Sequence, residues 1–200
     1  MSVLKVNASD LILASASPRR VALLQQIGVS CQVFPCDIDE SIQKDELAKN
    51  YVIRLAKQKA EVCLERLDDS LKSKPILAAD TTVVYAGKFF NKPESLEEAK
   101  RILKTLSGNV HHVHTAVALA FNGETNVMLS STAVEFISIS PEQIDHYVSM
   151  GEHEGKAGAY GIQGLAATWI KRIDGSYSGV MGLPLYETAA LLRKIAYIKY

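Results

Sequence analysis

Between Leu11 and Arg20 the chain reads Leu-Ile-Leu-Ala-Ser-Ala-Ser-Pro-Arg-Arg, a short apolar strand running into a helix that opens with two adjacent arginines. Its apolar start makes a short buried strand, and Ser17-Pro18 then opens a helix. Serine is a favoured N-cap, and proline at the first helical position gives up an amide that has no helical partner there. Val21, Leu24 and Ile27 continue at helical spacing until Gly28 supplies a stop. A strand running straight into a helix leaves unpaired amides and the positive end of the helix dipole at the turn. Ser15, Ser17, Arg19 and Arg20 add hydroxyls and two planar guanidinium forks at the same spot. Because positive side chains oppose the dipole at a helix start, a bound anion is the better explanation, and a polyphosphate suits these donors. The plain alternative is an exposed basic first turn.

The rest of the chain narrows the class. Lys plus Arg and Asp plus Glu are 22 each, so no charge excess advertises a nucleic-acid or membrane partner. Met1 to Asp10 lacks the apolar core of a signal peptide, and no apolar run reaches the length of a membrane span. Three cysteines, Cys31, Cys36 and Cys63, follow no metal-type spacing and read as reduced thiols of a cytoplasmic protein. Cys31 and Cys36 fit a strand.

Helical and strand-like segments alternate. After the first helix, Cys31 to Ile38 reads as a strand ending at the acidic group Asp37, Asp39 and Glu40, and a long helix is expected from Asp45 to about Leu67. Ile76 to Tyr85 is a strong strand that turns at Ala86-Gly87-Lys88 into Phe89-Phe90. Ser95 with Glu98 suggests a capping box for a helix ending near Ser107-Gly108. His111 to Phe121 and Glu124 to Ser130 flank Asn122-Gly123, a type I′ hairpin signal. A further strand follows, and then Ser140-Pro141 with Gln143 announces a helix. Lys156 to Gly182 should hold strands and ligand-facing loops, and Pro184 opens a last helix to about Ile195. The hairpins interrupt the alternation, so the expected fold is α/β with a mixed twisted sheet, flanking helices and two lobes around a cleft. No stretch resembles a linker, which makes residues 1–200 a single domain.

A few residues are chemically conspicuous. Asp80 sits in Ile76-Leu77-Ala78-Ala79-Asp80-Thr81-Thr82-Val83, where a carboxylate is costly to bury unless paired, hydrogen-bonded or on a metal. It is either a metal ligand or general base, or a capping aspartate at a strand end. Lys59 falls on or beside the apolar face of its helix, where it either snorkels outward or reaches a phosphate. Lys92 follows the hairpin that begins near Asp80. Glu40 could help Asp80 hold Mg²⁺ or Mn²⁺, hard cations that take carboxylates and phosphates. His112 and His114 share one strand face, but nothing nearby completes a zinc set, so they read as structural. In Lys156-Ala157-Gly158-Ala159-Tyr160-Gly161-Ile162-Gln163-Gly164, small residues would let backbone approach a ligand and the Gln163 amide could read a base edge. Tight turns and bulges are the plain alternative. Walker, dinucleotide-fingerprint and nucleophile-elbow motifs are missing, which removes the usual support for kinase, dehydrogenase and α/β-hydrolase readings.

With these residues in view, the sequence resembles the Maf family of nucleoside triphosphate pyrophosphatases. The matching blocks are Ser15-Ala16-Ser17-Pro18-Arg19-Arg20, Ala79-Asp80-Thr81, Leu106-Ser107-Gly108, Ala157 to Gly164, and Gly182-Leu183-Pro184. The resemblance implies a fold similar to the inosine triphosphate pyrophosphatases, commonly a homodimer. It also implies cleavage between the α and β phosphates of a nucleotide with a divalent metal. By the same resemblance Asp80 is the proton acceptor, and Ser15, Arg19, Arg20, Lys59 and Lys92 bind phosphate. Glu40 joins Asp80 at the metal. Arg19, Thr81 and Gln163 match the branch acting on dTTP and UTP; a sister branch acting on 7-methyl-GTP typically has tryptophan in place of Arg19. Ala78, His153 and Gly155 depart from the usual glycine, proline and aspartate. Rival readings are the 7-methyl-GTP activity, a non-catalytic nucleotide-binding regulator, and a phosphatase releasing orthophosphate. Met1 to Asp10 reads as an edge or frayed extension.

Overall fold

The computed structural model describes residues 11–200; the extension expected over Met1 to Asp10 lies outside them. Among the described residues seven strands form one mixed sheet with helices beside it. The strands are β1 (Leu11–Leu13), β2 (Cys31–Val33), β3 (Ile76–Tyr85), β4 (Lys88–Phe90), β5 (Val110–Phe121), β6 (Glu124–Phe136) and β7 (Ile170–Asp174). The sheet order is β2-β1-β3-β5-β6-β7, with β4 paired off the path to β3. β1 runs parallel to β2 in the register Leu11↔Cys31 and parallel to β3 in the register Ile12↔Ile76. β3 with β4 and β6 with β7 are antiparallel. This is the mixed sheet expected from crossovers punctuated by hairpins.

The helices are α1 (Pro18–Gln26), α2 (Ala48–Arg66), α3 (Leu96–Leu106), α4 (Pro141–Ser149), α5 (Tyr177–Met181) and α6 (Leu185–Lys194). Local chemistry explains most boundaries and several departures from expectation. β2 ends early because, after the Phe34 N–H bonds to the Leu13 carbonyl, Pro35 has no amide to extend the ladder. Cys36 therefore lies beyond the strand, buried, with its thiol donating to the Phe34 carbonyl. α2 begins later than Asp45 because that residue is in the left-handed region at φ 59°. The Ser140/Gln143 capping box forms as expected. At α3 only half of the box forms: Ser95 Oγ accepts the Glu98 N–H, whereas the Glu98 carboxylate takes the Glu94 N–H instead. Asn122 and Gly123 both have positive φ, as a type I′ hairpin requires.

The chain forms two units. One runs to Asp80 and takes in Ala116–Leu129 and Gly182–Tyr200; the other comprises Thr81–Thr115 and Ser130–Met181. The first buries Leu11, Ile12 and Leu13 of β1, Leu23 and Leu24 of α1, and Tyr51, Leu55, Ala56 and Cys63 of α2. The second has an aromatic core in which Tyr147 lies 4.9 Å from Trp169, and Phe136 4.9 Å from Tyr160, between ring centroids. His111 belongs to that core: Tyr160 Oη lies 2.8 Å from its Nε2, and burial pushes the imidazole down to about 4, so it stays neutral. Among the described residues no helix is long and apolar enough to cross a membrane.

Candidate active site

In the first unit the β1–α1 turn is held by its own side chains. Ser17 occupies the N-cap of α1 but makes no side-chain cap; instead its N–H donates to Ser15 Oγ at 3.2 Å. Arg20 donates from Nη1 to the same Ser15 oxygen at 2.9 Å and from Nε to the Gly182 carbonyl at 2.8 Å. One guanidinium thus ties the turn to the Gly182-Leu183-Pro184 stretch that opens α6. Burial pushes the Arg20 guanidinium down from its ordinary value, with Asp80 and then Glu40 counteracting and Arg19 adding to the effect. Burial likewise pushes Arg19 down.

The centre of the unit is a carboxylate–ammonium–carboxylate bridge. Lys59 is buried on α2 and does not snorkel; its Nζ lies 2.6 Å from Asp80 Oδ1 and 2.5 Å from Glu40 Oε1. Asp80 is 7% exposed, on β3. Its burial raises the carboxyl above the usual carboxylate range, against the pull of Lys59 and Arg20 and with a small upward push from Glu40. The segment bearing Glu40 is fixed to α2 by two residues that sequence reasoning missed. Tyr51 donates its hydroxyl to the Glu40 carbonyl at 2.9 Å. Arg54 forks onto both oxygens of Glu46 at 2.7 Å and donates to the Ser41 carbonyl at 3.0 Å. Their spacing on α2 put both near one helix face, but nothing local announced the loop they hold.

In the second unit, Thr81 Oγ1 lies 3.0 Å from Thr115 Oγ1, and Thr115 donates to the Gly179 carbonyl at 2.8 Å. Thr82 donates to Asn91 Oδ1, and Lys92 is exposed just after β4. Gln163 is exposed at the corner of a turn closed by the Gly164 N–H to the Gly161 carbonyl, 3.1 Å. Both ends of that turn are clamped. Tyr147 Oη accepts the Gly161 N–H at 3.1 Å, and the Glu152 carboxylate accepts the Leu165 N–H at 3.0 Å. A Cβ at Gly164 would fall 1.8 Å from Glu152 Oε2, so any side chain there must push the Glu152 carboxylate off the turn. Thr115, Tyr147 and Glu152 were also missed; a hydroxyl inside the apolar run of β5 was the one available hint. His114 Nδ1 pairs with Ser131 Oγ at 3.0 Å and its ring lies 6.1 Å from that of His112, in keeping with a structural pair.

The structure brings Ser15, Arg20, Lys59, Asp80 and Glu40 into one bonded and electrostatic network in the first unit, with Arg19 coupled to it through Arg20. Thr81, Lys92 and Gln163 belong to the second. Asp80 and Glu40 fit a divalent cation in one respect: they already converge on a single cationic point, Lys59 Nζ. Among the described residues no cluster of three or more His, Cys, Asp or Glu forms.

Arginines at a strand–helix turn and a buried aspartate bridged by a lysine put fixed cations around a carboxylate, which is the chemistry an anionic ligand needs. The Maf-like protein family matches residues 10–195. A dTTP/UTP pyrophosphatase of Methylobacillus flagellatus is 55% identical over 188 residues, covering 94% of each chain. Another of Zymomonas mobilis is 50% identical, covering 92% of this chain and 91% of that one, and one of Chromobacterium violaceum is 44% identical over 97% and 98%. The chain belongs to the Maf-like protein family. Among solved structures, the Ham1 protein of Staphylococcus aureus aligns over 63% of this chain and 71% of its own, at TM-score 0.40 and 14% identity, too partial a likeness to bear on the argument.

Proposed function

We propose that the protein is a nucleoside triphosphate pyrophosphatase that hydrolyses dTTP and UTP between the α and β phosphates, releasing the monophosphate and pyrophosphate. The observation that carries this reading is the Asp80–Lys59–Glu40 bridge beside Arg20: a buried, basic-shifted carboxylate among fixed cations. The names of the relatives supply the substrates. Ser15, Arg19, Arg20, Lys59 and Lys92 bind the triphosphate and offset the charge that repels a nucleophile. Lys59 occupies Asp80 Oδ1, so Oδ2 takes the proton from the attacking water. The water oxygen bonds to the α phosphorus, and the bond to the bridging oxygen breaks with its electron pair leaving on pyrophosphate. A carboxylate raised above its ordinary value is a stronger base for that proton. Asp80 and Glu40 would hold Mg²⁺ or Mn²⁺, which when bound supplies further charge neutralisation at the phosphates. Arg19, Thr81 and Gln163 discriminate among bases. A cytoplasmic homodimer, one domain spanning residues 1–200, and a partner list limited to the nucleotide, without nucleic acid or membrane, complete the proposal.

The test is product identity. Purified protein with Mg²⁺ or Mn²⁺ is given dTTP, UTP, CTP, GTP and 7-methyl-GTP, and the products are separated by chromatography beside an Asp80→Asn control. Monophosphate and pyrophosphate from dTTP and UTP, lost by about a hundredfold or more in the control, are expected. Orthophosphate as product, a preference for 7-methyl-GTP, or binding without turnover would each overturn the reading.

A further inference from the structure

The Thr81–Thr115–Gly179 chain has a fixed direction, and the direction has a chemical consequence. A hydroxyl carries one hydrogen and two acceptor lone pairs. The Gly179 carbonyl can only accept, and it lies 2.8 Å from Thr115 Oγ1, so the Thr115 hydrogen is committed to it. Gly179 sits in the five-residue helix α5, whose last four carbonyls have no partner inside the helix. The carbonyl is held in place from the other side: the Gly179 N–H donates to Ser176 Oγ at 3.0 Å, and the Ser176 N–H to Thr132 Oγ1 at 2.9 Å. Thr115 is 1% exposed, so water cannot substitute for either partner. With its hydrogen spent, Thr115 Oγ1 can only accept from Thr81 at 3.0 Å, which makes Thr81 the donor of that pair. Thr81 is half-buried at the accessible end of the chain and is left with lone pairs alone to offer.

We propose that Thr115 is a positioning residue for base selection: by taking the Thr81 hydrogen it turns Thr81 into an acceptor that recognises the N3–H of uracil and thymine. This rests on the reading of Thr81 as a base-discriminating residue. N3–H is the one Watson–Crick-edge donor that uracil and thymine share. Cytosine carries a lone pair at N3, so there two acceptors would face one another. A hydroxyl free to rotate would donate to cytosine N3 as readily as it accepts from uracil N3–H, and would not discriminate. The selectivity comes from the relay behind it.

The experiment measures the ratio of kcat/KM for UTP to that for CTP in Thr115→Val, Thr115→Ser, Thr81→Val and the Thr81→Val/Thr115→Val double variant. Thr115→Val should lower the ratio by about tenfold or more, mainly by improving CTP. Thr115→Ser, which keeps the hydroxyl, should restore it, and the double variant should be no less selective than Thr81→Val alone. A change shared equally by both nucleotides is what a purely structural role would produce, and it would overturn the proposal. An unchanged ratio in Thr81→Val would remove the base-reading role of Thr81, and this proposal with it. A lowered ratio in Thr81→Val with an unchanged one in Thr115→Val would remove the relay alone. If Thr115→Val does not fold by thermal melting, Thr115→Ala, which also lacks the hydroxyl, is read in the same way.

Discussion

Replacing Lys59 by methionine isolates the charge at the centre of the site. The side chain keeps its length and apolar stem, while the ammonium 2.6 Å from Asp80 is lost. At an effective dielectric of about 20, unit charges that close attract by about 6 kcal/mol. Removing one partner of a buried pair typically costs about 3–5 kcal/mol, because it leaves the other charge buried and uncompensated unless it takes up a proton. Taking about 3 kcal/mol as the share lost by the carboxylate form, the Asp80 carboxyl should rise further above the usual carboxylate range. The sign then follows. A carboxyl whose folded pKa lies above its unfolded value binds a proton in the native state that the unfolded chain does not, so stability falls as pH rises through that window. Asp80 already lies on that side in the parent protein, and the variant extends the window upward. Urea denaturation from about pH 5 to about pH 9 should show a deficit of about 3 kcal/mol at the alkaline end that shrinks toward the acid end. The acid limb of kcat/KM should move up with the carboxyl, and Asp80→Asn in the same background should abolish the pH dependence of the deficit. A deficit that is flat with pH, together with an unmoved limb, would refute the charge argument.

Two other perturbations probe the frame around the site. Arg20→Lys cannot span both Ser15 Oγ and the Gly182 carbonyl with one planar fork, so kcat/KM should fall by about ten- to a hundredfold, mostly through KM; an unchanged steady-state KM would reject the clamp. Gly164→Ala must displace the Glu152 carboxylate from the Leu165 N–H, and thermal melting should register a loss of about 1–3 kcal/mol; full stability would mean that the carboxylate is not holding the turn.

Local residue chemistry was sufficient for much of this molecule. Ser17-Pro18 placed the start of α1 through proline's fixed φ, while Ser140 with Gln143 placed that of α4 and Asn122-Gly123 the hairpin between β5 and β6, because a capping box or a tight turn satisfies the backbone within a few residues. The failures have local causes too. Pro35 was inside the expected strand and ended it, and the left-handed Asp45 displaced the expected start of α2.

Asp80 and Lys59 were conspicuous one at a time, each as an ionisable group in apolar company. Residue types and motif order were enough to name the family and its candidate set, since a charge in a buried run has few uses and the blocks follow in one order through most of the chain. Which charges meet was decided only by the tertiary structure. Lys59 and Asp80 are 21 residues apart, and the bridge exists because the fold brings the Lys59 ammonium of α2 to the Asp80 carboxylate of β3, with Tyr51 and Arg54 drawing the Glu40 loop against the same helix. The direction of the Thr81–Thr115 hydrogen bond likewise depends on a carbonyl 64 residues beyond Thr115. Period, capping and composition act over a few residues. Desolvation, ion pairing and the direction of a hydrogen-bond chain depend on which distant groups share one dry space, and that is a property of the packed fold.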